Sequence, residues 1–151
     1  VVGAELNEVA ITELFEELGV KPSIEKTESF KVYRTPGLVI WLGDIFNLNK
    51  DMLGSVEAIY DRAALVALPP EMRQRYTRHL VDLTEGVPQL LICYKYDQNL
   101  MSGPPFSISA EEIREHYEQS YELTPLATVE VAGGLKGLYP AKEHVWLLKS
   151  I

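Results

Sequence analysis

Apolar and polar positions along the chain predict strands that alternate with helices. Val1 to Ala4 is a short apolar run that ends at Glu5, and Asn7 is a favourable N-cap. Apolar side chains then recur with the spacing of one helical face: Ile11, Leu14, Phe15 and Leu18. Gly19 provides the end of this helix. The chain is therefore predicted to begin with a strand followed by a helix.

A hairpin is predicted next. Polar and apolar residues alternate from Phe30 to Arg34, and the sequence 35–37, Thr-Pro-Gly, is typical of a turn. The continuous apolar run Leu38 to Leu42 then indicates a more buried second strand that ends in Gly43-Asp44. Residues 47–54 are expected to form a loop or a short helical turn.

A charged pair interrupts the apolar residues that follow. Val56 to Tyr60 is predicted to be a strand, Asp61 and Arg62 end it, and the apolar residues 63–68 come directly afterwards. Burying two charged side chains is unfavourable unless they form an ion pair or lie at an opening. In open α/β sheets that opening is the crevice at the carboxyl ends of the strands. The alternative is an internal Asp–Arg pair that only fixes a loop.

The second half continues the alternation. Pro69-Pro70 suits the start of a helix that ends near Gly86, and Gln89 to Tyr96 is predicted to be the next strand. Ser109 and Glu112 form a capping box for a further helix. Two closing strands are expected on either side of a Gly-Gly loop: 129–131 and 145–148. This order predicts an α/β fold with a mostly parallel sheet, helices on both faces and an antiparallel C-terminal strand.

Composition narrows the function classes. The 151 residues are enough for one domain with a core, and 46% hydrophobic and 24% charged residues are ordinary for a globular protein. The net charge of -8 argues against a nucleic-acid surface. No apolar run is long enough for a membrane span, and the single cysteine, Cys93, is predicted to be a buried thiol. A cytoplasmic protein is expected.

Four predicted strands end in acids: Glu5, Asp44, Asp61 and Asp97. Because the carboxyl ends of parallel strands share one edge of a sheet, these carboxylates and Arg62 are predicted to face a common crevice. This arrangement is typical of a cofactor site.

Several of these residues have a plausible role in binding a cofactor or a substrate, and Glu5 and Asp44 each have a structural alternative. Glu5 is placed to accept both hydroxyls of a ribose, or else it is an acid favoured at a helix N-terminus. Asp44 is placed to accept from an adenine amino group beside the Ile45 N–H, or else it caps the following turn. Arg62 suits a substrate carboxylate or polarised group, and the stiff loop 103–106 suits a pocket wall.

Other kinds of site lack their sequence signals. Gly133 and Gly134 lie between predicted strands, so no glycine-rich strand–turn–helix is present. No cluster has zinc-ligand spacing and no nucleophile elbow occurs, so no metal is expected. His79, His116 and His144 are interpreted as surface or core histidines.

Four segments together resemble the thiopurine S-methyltransferase family, in its bacterial branch. They are VVGAELNE (1–8), WLGDIFNL (41–48), YDRAALVALPPEMRQRY (60–76) and YDQNLMSGPPFSI (96–108). The similarity covers nearly the whole chain and is weakest over residues 120–143. The resemblance implies the Rossmann-like fold of S-adenosylmethionine-dependent methyltransferases, whose seventh strand is antiparallel.

The resemblance also implies site residues. Glu5 matches the family acid that binds the cofactor ribose, and Asp44 and Ile45 match the pair that contacts adenine. Arg62 matches an arginine near the cofactor and the substrate sulfur, and is the candidate catalytic residue. The segment close to the acceptor pocket is matched by Pro104, Pro105 and Phe106.

The chain departs from the family at its start. The family's N-terminal tryptophan-bearing segment and its first strand, with a glycine-rich loop, have no counterpart in the sequence. Residues 1–151 are therefore expected to be a single but N-terminally incomplete methyltransferase domain. Since the family's first strand is central, the strand ending at Glu5 and the strand ending at Asp61 are not expected to pair directly.

The implied reaction is methyl transfer from S-adenosyl-L-methionine to the thiolate of a thiopurine or another aromatic or heterocyclic thiol. Selenium or tellurium compounds are further candidate acceptors, which would connect the protein to tellurite resistance. A monomer that binds a small-molecule thiol is expected, without nucleic acid or membrane. Alternatives are methylation of oxygen, nitrogen or halide on the same fold, an NAD-dependent oxidoreductase, and a non-catalytic cofactor-binding fragment.

Overall fold

The computed structural model describes residues 1–151 and contains eight strands and four α-helices. The chain divides into two compact units, Val1–Gly54 and Ser55–Ile151. Each unit has its own four-stranded sheet. None of the helices combines the length and the apolar character that a membrane crossing requires.

The first unit is a small sheet with one long helix. Its elements are β1 (Val2–Glu5), α1 (Glu8–Leu18), β2 (Ser23–Lys26), β3 (Lys31–Thr35), β4 (Leu38–Leu42) and α2 (Lys50–Leu53). The strand order is β1-β4-β3-β2, with β1 parallel to β4 and the other neighbours antiparallel.

The predicted helix signals of the first unit are confirmed. The Asn7 side chain accepts from the Val9 N–H at 3.0 Å, and Gly19 ends α1 in the left-handed conformation. Of the predicted apolar face of α1, Ile11 and Phe15 are buried, Leu14 is partly buried and Leu18 is exposed, and Phe15 stacks on Tyr33 of β3. Burial of this face holds α1 on its sheet.

The second unit contains a longer sheet. Its elements are β5 (Ile59–Asp61), α3 (Pro70–Thr84), β6 (Gln89–Tyr96), α4 (Ala110–Tyr117), β7 (Tyr121–Glu130) and β8 (Ala141–Ser150). The strand order is β5-β6-β8-β7, with β5 parallel to β6 and the other neighbours antiparallel. A short 3-10 helix, Leu65–Ala67, lies between β5 and α3.

The core of the second unit lies on one face of β6 and β8. Leu91, Cys93 and Leu148 are almost fully buried there, together with Ile113 and Tyr117 from α4. The prediction that Cys93 is buried is therefore confirmed. Burial raises the pKa of its thiol, so the thiolate is strongly disfavoured.

The α/β class and the antiparallel C-terminal strand are confirmed, but a mostly parallel sheet is not. Two of the six strand pairings are parallel and four are antiparallel. The difference comes from β2, an exposed strand that has no apolar periodicity, and from the closing hairpin, which is far longer than predicted. Short connections favour antiparallel neighbours because they cannot span a parallel crossover.

Strands β1 and β5 are edge strands of different sheets. Strand β1 pairs only with β4, and β5 pairs only with β6. The expectation that these two strands do not pair directly is therefore confirmed. The expectation of a single methyltransferase domain over 1–151 stays a prediction.

Candidate functional site

The carboxyl ends of β1 and β4 meet at one edge of the first sheet. The two strands are parallel, with Glu5 opposite Leu42, and the Glu5 carbonyl accepts from the Gly43 N–H at 2.9 Å. Asp44 follows directly. Glu5 and Asp44 therefore leave neighbouring strands at the same edge, as the sequence predicted for parallel strands.

Both of these carboxylates are exposed and make local hydrogen bonds. Glu5 accepts from the Asn7 N–H through Oε1 at 2.8 Å, and Asp44 accepts from the Phe46 N–H through Oδ1 at 2.9 Å. Asp44 thus caps a 3-10 helix, Ile45–Asn47, which is the alternative weighed for it. A carboxylate has about four lone-pair sites, so each group retains acceptor capacity for a ligand.

Gly43 explains why the chain can turn at this edge. A Cβ added there would lie 2.5 Å from the Phe30 ring and 2.8 Å from the Ser29 carbonyl oxygen. Phe30 in turn packs edge-on against Trp41. Only glycine fits under this aromatic pair, so the backbone that presents Asp44 is fixed by packing.

Asp61, at the end of β5, does not remain available for a ligand. It is 3% exposed, and its carboxylate accepts from the Tyr76 O–H at 2.9 Å and from the Ala64 and Leu65 N–H groups at 3.1 and 3.4 Å. Burial raises the pKa of Asp61, and these hydrogen bonds partly oppose the rise. The prediction that Asp61 faces a crevice is therefore wrong.

The Arg62 side chain is exposed and forms no ion pair with Asp61. Its Nη2 lies 3.4 Å from Oε1 of Glu143 on β8, and this carboxylate raises the pKa of the guanidinium. Arg62 is not paired with Asp61, so the alternative of an internal Asp–Arg pair is also wrong. The guanidinium has five N–H donors, and one ion pair leaves most of them for a substrate.

Asp97 follows β6 and caps a turn. Its Oδ1 accepts from the N–H and the side-chain amide of Asn99, both at 3.0 Å. Asp61 lies opposite Leu91, and Asp97 is six residues further along the chain than Leu91. At about 3.3 Å per residue, Asp97 lies roughly 20 Å beyond the end of β5. The prediction that these two acids share a crevice is wrong.

The loop at 103–106 is attached to the segment that follows β5. Phe106 donates its N–H to the Val66 carbonyl at 2.7 Å, and the Pro105 carbonyl accepts from the Tyr96 O–H at 2.6 Å. Pro104 is exposed. The predicted pocket segment and the predicted Arg62 segment are therefore neighbours within the second unit.

Arg73 is a buried charged residue beside the proposed pocket segment that the sequence reasoning missed. Its side chain is 4% exposed, forms an ion pair with Glu112 at 2.6 Å and lies over the Phe106 ring at 5.1 Å. His116 Nε2 lies 3.2 Å from the same Glu112, so this histidine belongs to a helix–helix network. Three arginines lie on α3, and Arg73 differs from Arg75 and Arg78 only in sharing the buried helix face with Tyr76 and Leu80, which the sequence alone does not mark.

Comparison with known proteins identifies the family of this chain. The family model for thiopurine S-methyltransferase (TPMT) matches residues 1–150. The chain belongs to the thiopurine S-methyltransferase family. It is 53% identical over 149 residues to "Thiopurine S-methyltransferase" of Xanthobacter autotrophicus, and 49% identical over 148 residues to that of Teredinibacter turnerae. These alignments cover 99% and 98% of this chain, and 70% and 69% of the relatives.

Solved structures agree with this family at the level of the fold. A SAM-dependent methyltransferase from Methanosarcina mazei matches with a TM-score of 0.67 at 12% identity, covering 100% of this chain and 82% of that one. A putative type 11 methyltransferase from Sulfolobus solfataricus matches with a TM-score of 0.51 at 10% identity. The match covers 99% of this chain and 71% of that one. The fold is that of the S-adenosylmethionine-dependent methyltransferases.

The family establishes a methyltransferase enzyme whose cofactor is S-adenosyl-L-methionine. The residues at the β1–β4 edge fit this cofactor chemically. Its ribose hydroxyls and adenine amino group are hydrogen-bond donors, and Glu5 and Asp44 are exposed acceptors at the carboxyl ends of adjacent parallel strands. The individual roles of Glu5, Asp44, Ile45 and Arg62 stay predictions.

Proposed function

We propose that the protein transfers a methyl group from S-adenosyl-L-methionine to the thiolate of a thiopurine or another aromatic or heterocyclic thiol. The single observation that carries this proposal is the match of residues 1–150 to the thiopurine S-methyltransferase family. The exposed carboxylates of Glu5 and Asp44 support it, because they present acceptors where an α/β sheet binds its cofactor.

Three residues are proposed to orient the cofactor. Glu5 would accept hydrogen bonds from the ribose hydroxyls, Asp44 would accept one from the adenine amino group, and the Ile45 backbone would contribute to holding the adenine. Charge-assisted bonds of this kind are stronger than neutral ones and fix orientation. When bound, the cofactor supplies an electrophilic methyl group, and the protein needs only to align an in-line attack.

Arg62 is proposed to act on the methyl acceptor. Arg62 carries a fixed positive charge that favours the thiolate form of the substrate, and Glu143 holds the guanidinium from one side. A heteroaromatic thiol already ionises readily, so a strong general base is unnecessary. Pro104, Pro105 and Phe106 form part of the acceptor pocket and shield the thiolate from water.

The wider biological proposals follow from the same assignment. Reduced selenium and tellurium anions are further acceptors, since they are soft nucleophiles like thiolates. The link to tellurite resistance is methylation of tellurium after a cellular thiol reductant has brought it to that reduced level. Residues 1–151 act within one methyltransferase domain. We further propose a cytoplasmic monomer that binds small molecules and neither nucleic acid nor membrane.

Two measurements on the protein at its full natural length test this function. In a thermal shift assay, S-adenosylhomocysteine should raise the melting temperature and NAD should not, because ligand binding stabilises the folded state. In a transfer assay, a thiopurine should be methylated and the matching oxopurine should not. Stabilisation without transfer to any thiol, selenol or tellurium acceptor would contradict the proposal and leave a cofactor-binding protein.

A further inference from the structure

We propose that Tyr76 is a positioning residue for methyl transfer, acting through Asp61 on the loop that carries Arg62. The inference rests on the proposed role of Arg62 at the acceptor. It goes further by assigning the placement of that arginine to a buried hydroxyl on helix α3, and all the residues involved lie in the second unit.

The hydrogen bonds define the path from Tyr76 to the loop. The Tyr76 O–H donates to Oδ2 of Asp61 at 2.9 Å, inside the core. The other carboxylate oxygen, Oδ1, accepts from the N–H groups of Ala64 and Leu65. Arg62 lies within the turn that these bonds close. The orientation of one carboxylate therefore sets the backbone from which Arg62 projects.

Helix α3 also holds the far end of this loop. Arg73 lies one helical turn before Tyr76, and both side chains are buried. Its Nε donates to the Leu68 carbonyl at 2.8 Å, at the end of the segment that Asp61 begins. The loop from Asp61 to Leu68 is thus fixed at both ends by one helix. The Phe106 N–H bond to Val66 then couples it to the proposed pocket wall.

Tyr117 provides a matched contrast within the same core. Its side chain is fully buried, on α4, and its hydroxyl lies by the Gln89 side chain and makes no hydrogen bond to Asp61 or to the loop that Asp61 begins. Removing the Tyr117 hydroxyl breaks no bond to the Arg62 loop, whereas removing the Tyr76 hydroxyl leaves Oδ2 of a buried carboxylate without a donor. Comparing these two hydroxyls separates a positioning effect from a general effect of removing a buried oxygen.

The size of the effect follows from the geometry of transfer reactions. A misplacement of about 1 Å at a reacting centre can lower the rate by roughly 100-fold. Loss of one of three hydrogen bonds to Asp61 should shift the loop by less than this. We expect Tyr76→Phe to lower kcat/KM by roughly tenfold.

The test is a double-mutant cycle on the protein at its full natural length, with S-adenosyl-L-methionine and a thiopurine. Tyr76→Phe and Tyr117→Phe are each made in the native background and in Arg62→Ala. If Tyr76 acts through the placement of Arg62, its tenfold effect should fall to less than about twofold once the guanidinium is absent. Tyr117→Phe should stay within about twofold of its parent in both backgrounds.

A second readout does not depend on turnover. Hydrogen exchange at the Ala64 and Leu65 amides should accelerate in Tyr76→Phe relative to amides of β6, and should not change in Tyr117→Phe. Should Tyr76→Phe fail to fold, Asp61→Asn enters the same cycle, because it keeps the side-chain shape but changes the partner of the Tyr76 hydroxyl.

The outcomes separate the two proposals. If native enzyme methylates no acceptor, or Arg62→Ala leaves kcat/KM unchanged, the proposed function or the role of Arg62 fails and the inference falls with it. If Arg62→Ala is impaired but Tyr76→Phe has the same fold-effect in both backgrounds, the proposed function stands. In that case Tyr76 acts independently of Arg62 and the positioning inference is wrong.

Discussion

Acidic residues at two strand ends of this molecule differ in exposure: those at one end are exposed and the one at the other end is buried. At the β1–β4 edge of the first unit, Glu5 and Asp44 are exposed, and each accepts a hydrogen bond from a backbone N–H. At the end of β5 in the second unit, Asp61 is buried and accepts three internal hydrogen bonds. An acid at a strand end can thus either receive a ligand or organise the protein.

Burial decides between these two roles. A buried carboxylate must satisfy its oxygens within the protein, and so it has little capacity left for a ligand. An exposed carboxylate stays hydrated and can exchange water for ligand hydroxyls. The comparison therefore assigns ligand binding to the first strand edge and structural organisation of the Arg62 loop to the second.

The largest effect is expected for Asp61→Ala. This change leaves the N–H groups of Ala64 and Leu65 and the Tyr76 hydroxyl without their acceptor inside the core. We expect a loss of about 2–4 kcal/mol in the free energy of unfolding, measured by urea denaturation.

Asp97→Ala is the matched control, since Asp97 is also a strand-end acid but is exposed and caps only a turn. Its loss should be below about 1 kcal/mol. Equal destabilisation by the two variants would remove the distinction between organising and available acids.

The next effect concerns Arg62→Lys. Lysine keeps the charge but loses the planar fork that binds Glu143 and the proposed thiolate together. We expect kcat/KM to fall by roughly tenfold, about 1.4 kcal/mol in transition-state stabilisation, with a melting temperature close to that of the native protein. Unfolding of this variant at assay temperature would instead indicate a structural role.

A smaller effect is expected for Asp44→Ala. Loss of one hydrogen bond to the adenine amino group, about 1 kcal/mol, should weaken binding of S-adenosylhomocysteine by roughly fivefold. The change also removes the cap of the 3-10 helix Ile45–Asn47, so the control variant must also lose a helix cap. Asn49→Ala removes the cap of α2, where Asn49 accepts from the Met52 N–H at 2.9 Å, and should leave affinity unchanged. Similar affinities in the two variants would show that Asp44 only caps its turn.

The smallest effect is a pH dependence of stability. Burial raises the pKa of Asp61 in the folded protein above its value of about 3.9 in the unfolded chain. The folded state therefore binds more protons between these two values, so this contribution to stability is present below the unfolded pKa and is lost as pH rises through the folded pKa.

Asp61→Asn isolates this contribution, because asparagine does not titrate. The unfolding free energy of the native protein minus that of the variant should decrease as pH is raised above about 4 and then level off. A difference that increases with pH would mean that the hydrogen bonds to Asp61 outweigh its desolvation.

Local signals made much of the fold predictable. The caps at Asn7 and Ser109 and the glycine after α1 are confirmed because each is a short-range interaction within one segment. Strand β2 was missed because its side chains are all exposed and carry no apolar period. The resemblance supplied the family and cofactor, which periodicity and spacing alone did not.

The candidate site was predictable only in part. Parallel pairing of β1 and β4 brought Glu5 and Asp44 to one edge, as expected from their positions after strands. The burial of Asp61 depends on Tyr76, fifteen residues away, and the ion pair of Arg62 depends on Glu143 on another strand. Such long-range partners are set by the tertiary packing of helix and sheet, which one sequence does not reveal.

The most direct test of this account is calorimetric titration of the full-length protein with S-adenosylhomocysteine, comparing native protein with Glu5→Ala. Loss of charge-assisted bonds worth roughly 1.5–3 kcal/mol should weaken binding by about 10- to 100-fold. Glu25→Ala, at an exposed acid on β2, should bind like the native protein. Unchanged affinity in Glu5→Ala, with the fold intact by melting temperature, would contradict the assignment of the β1–β4 edge to the cofactor.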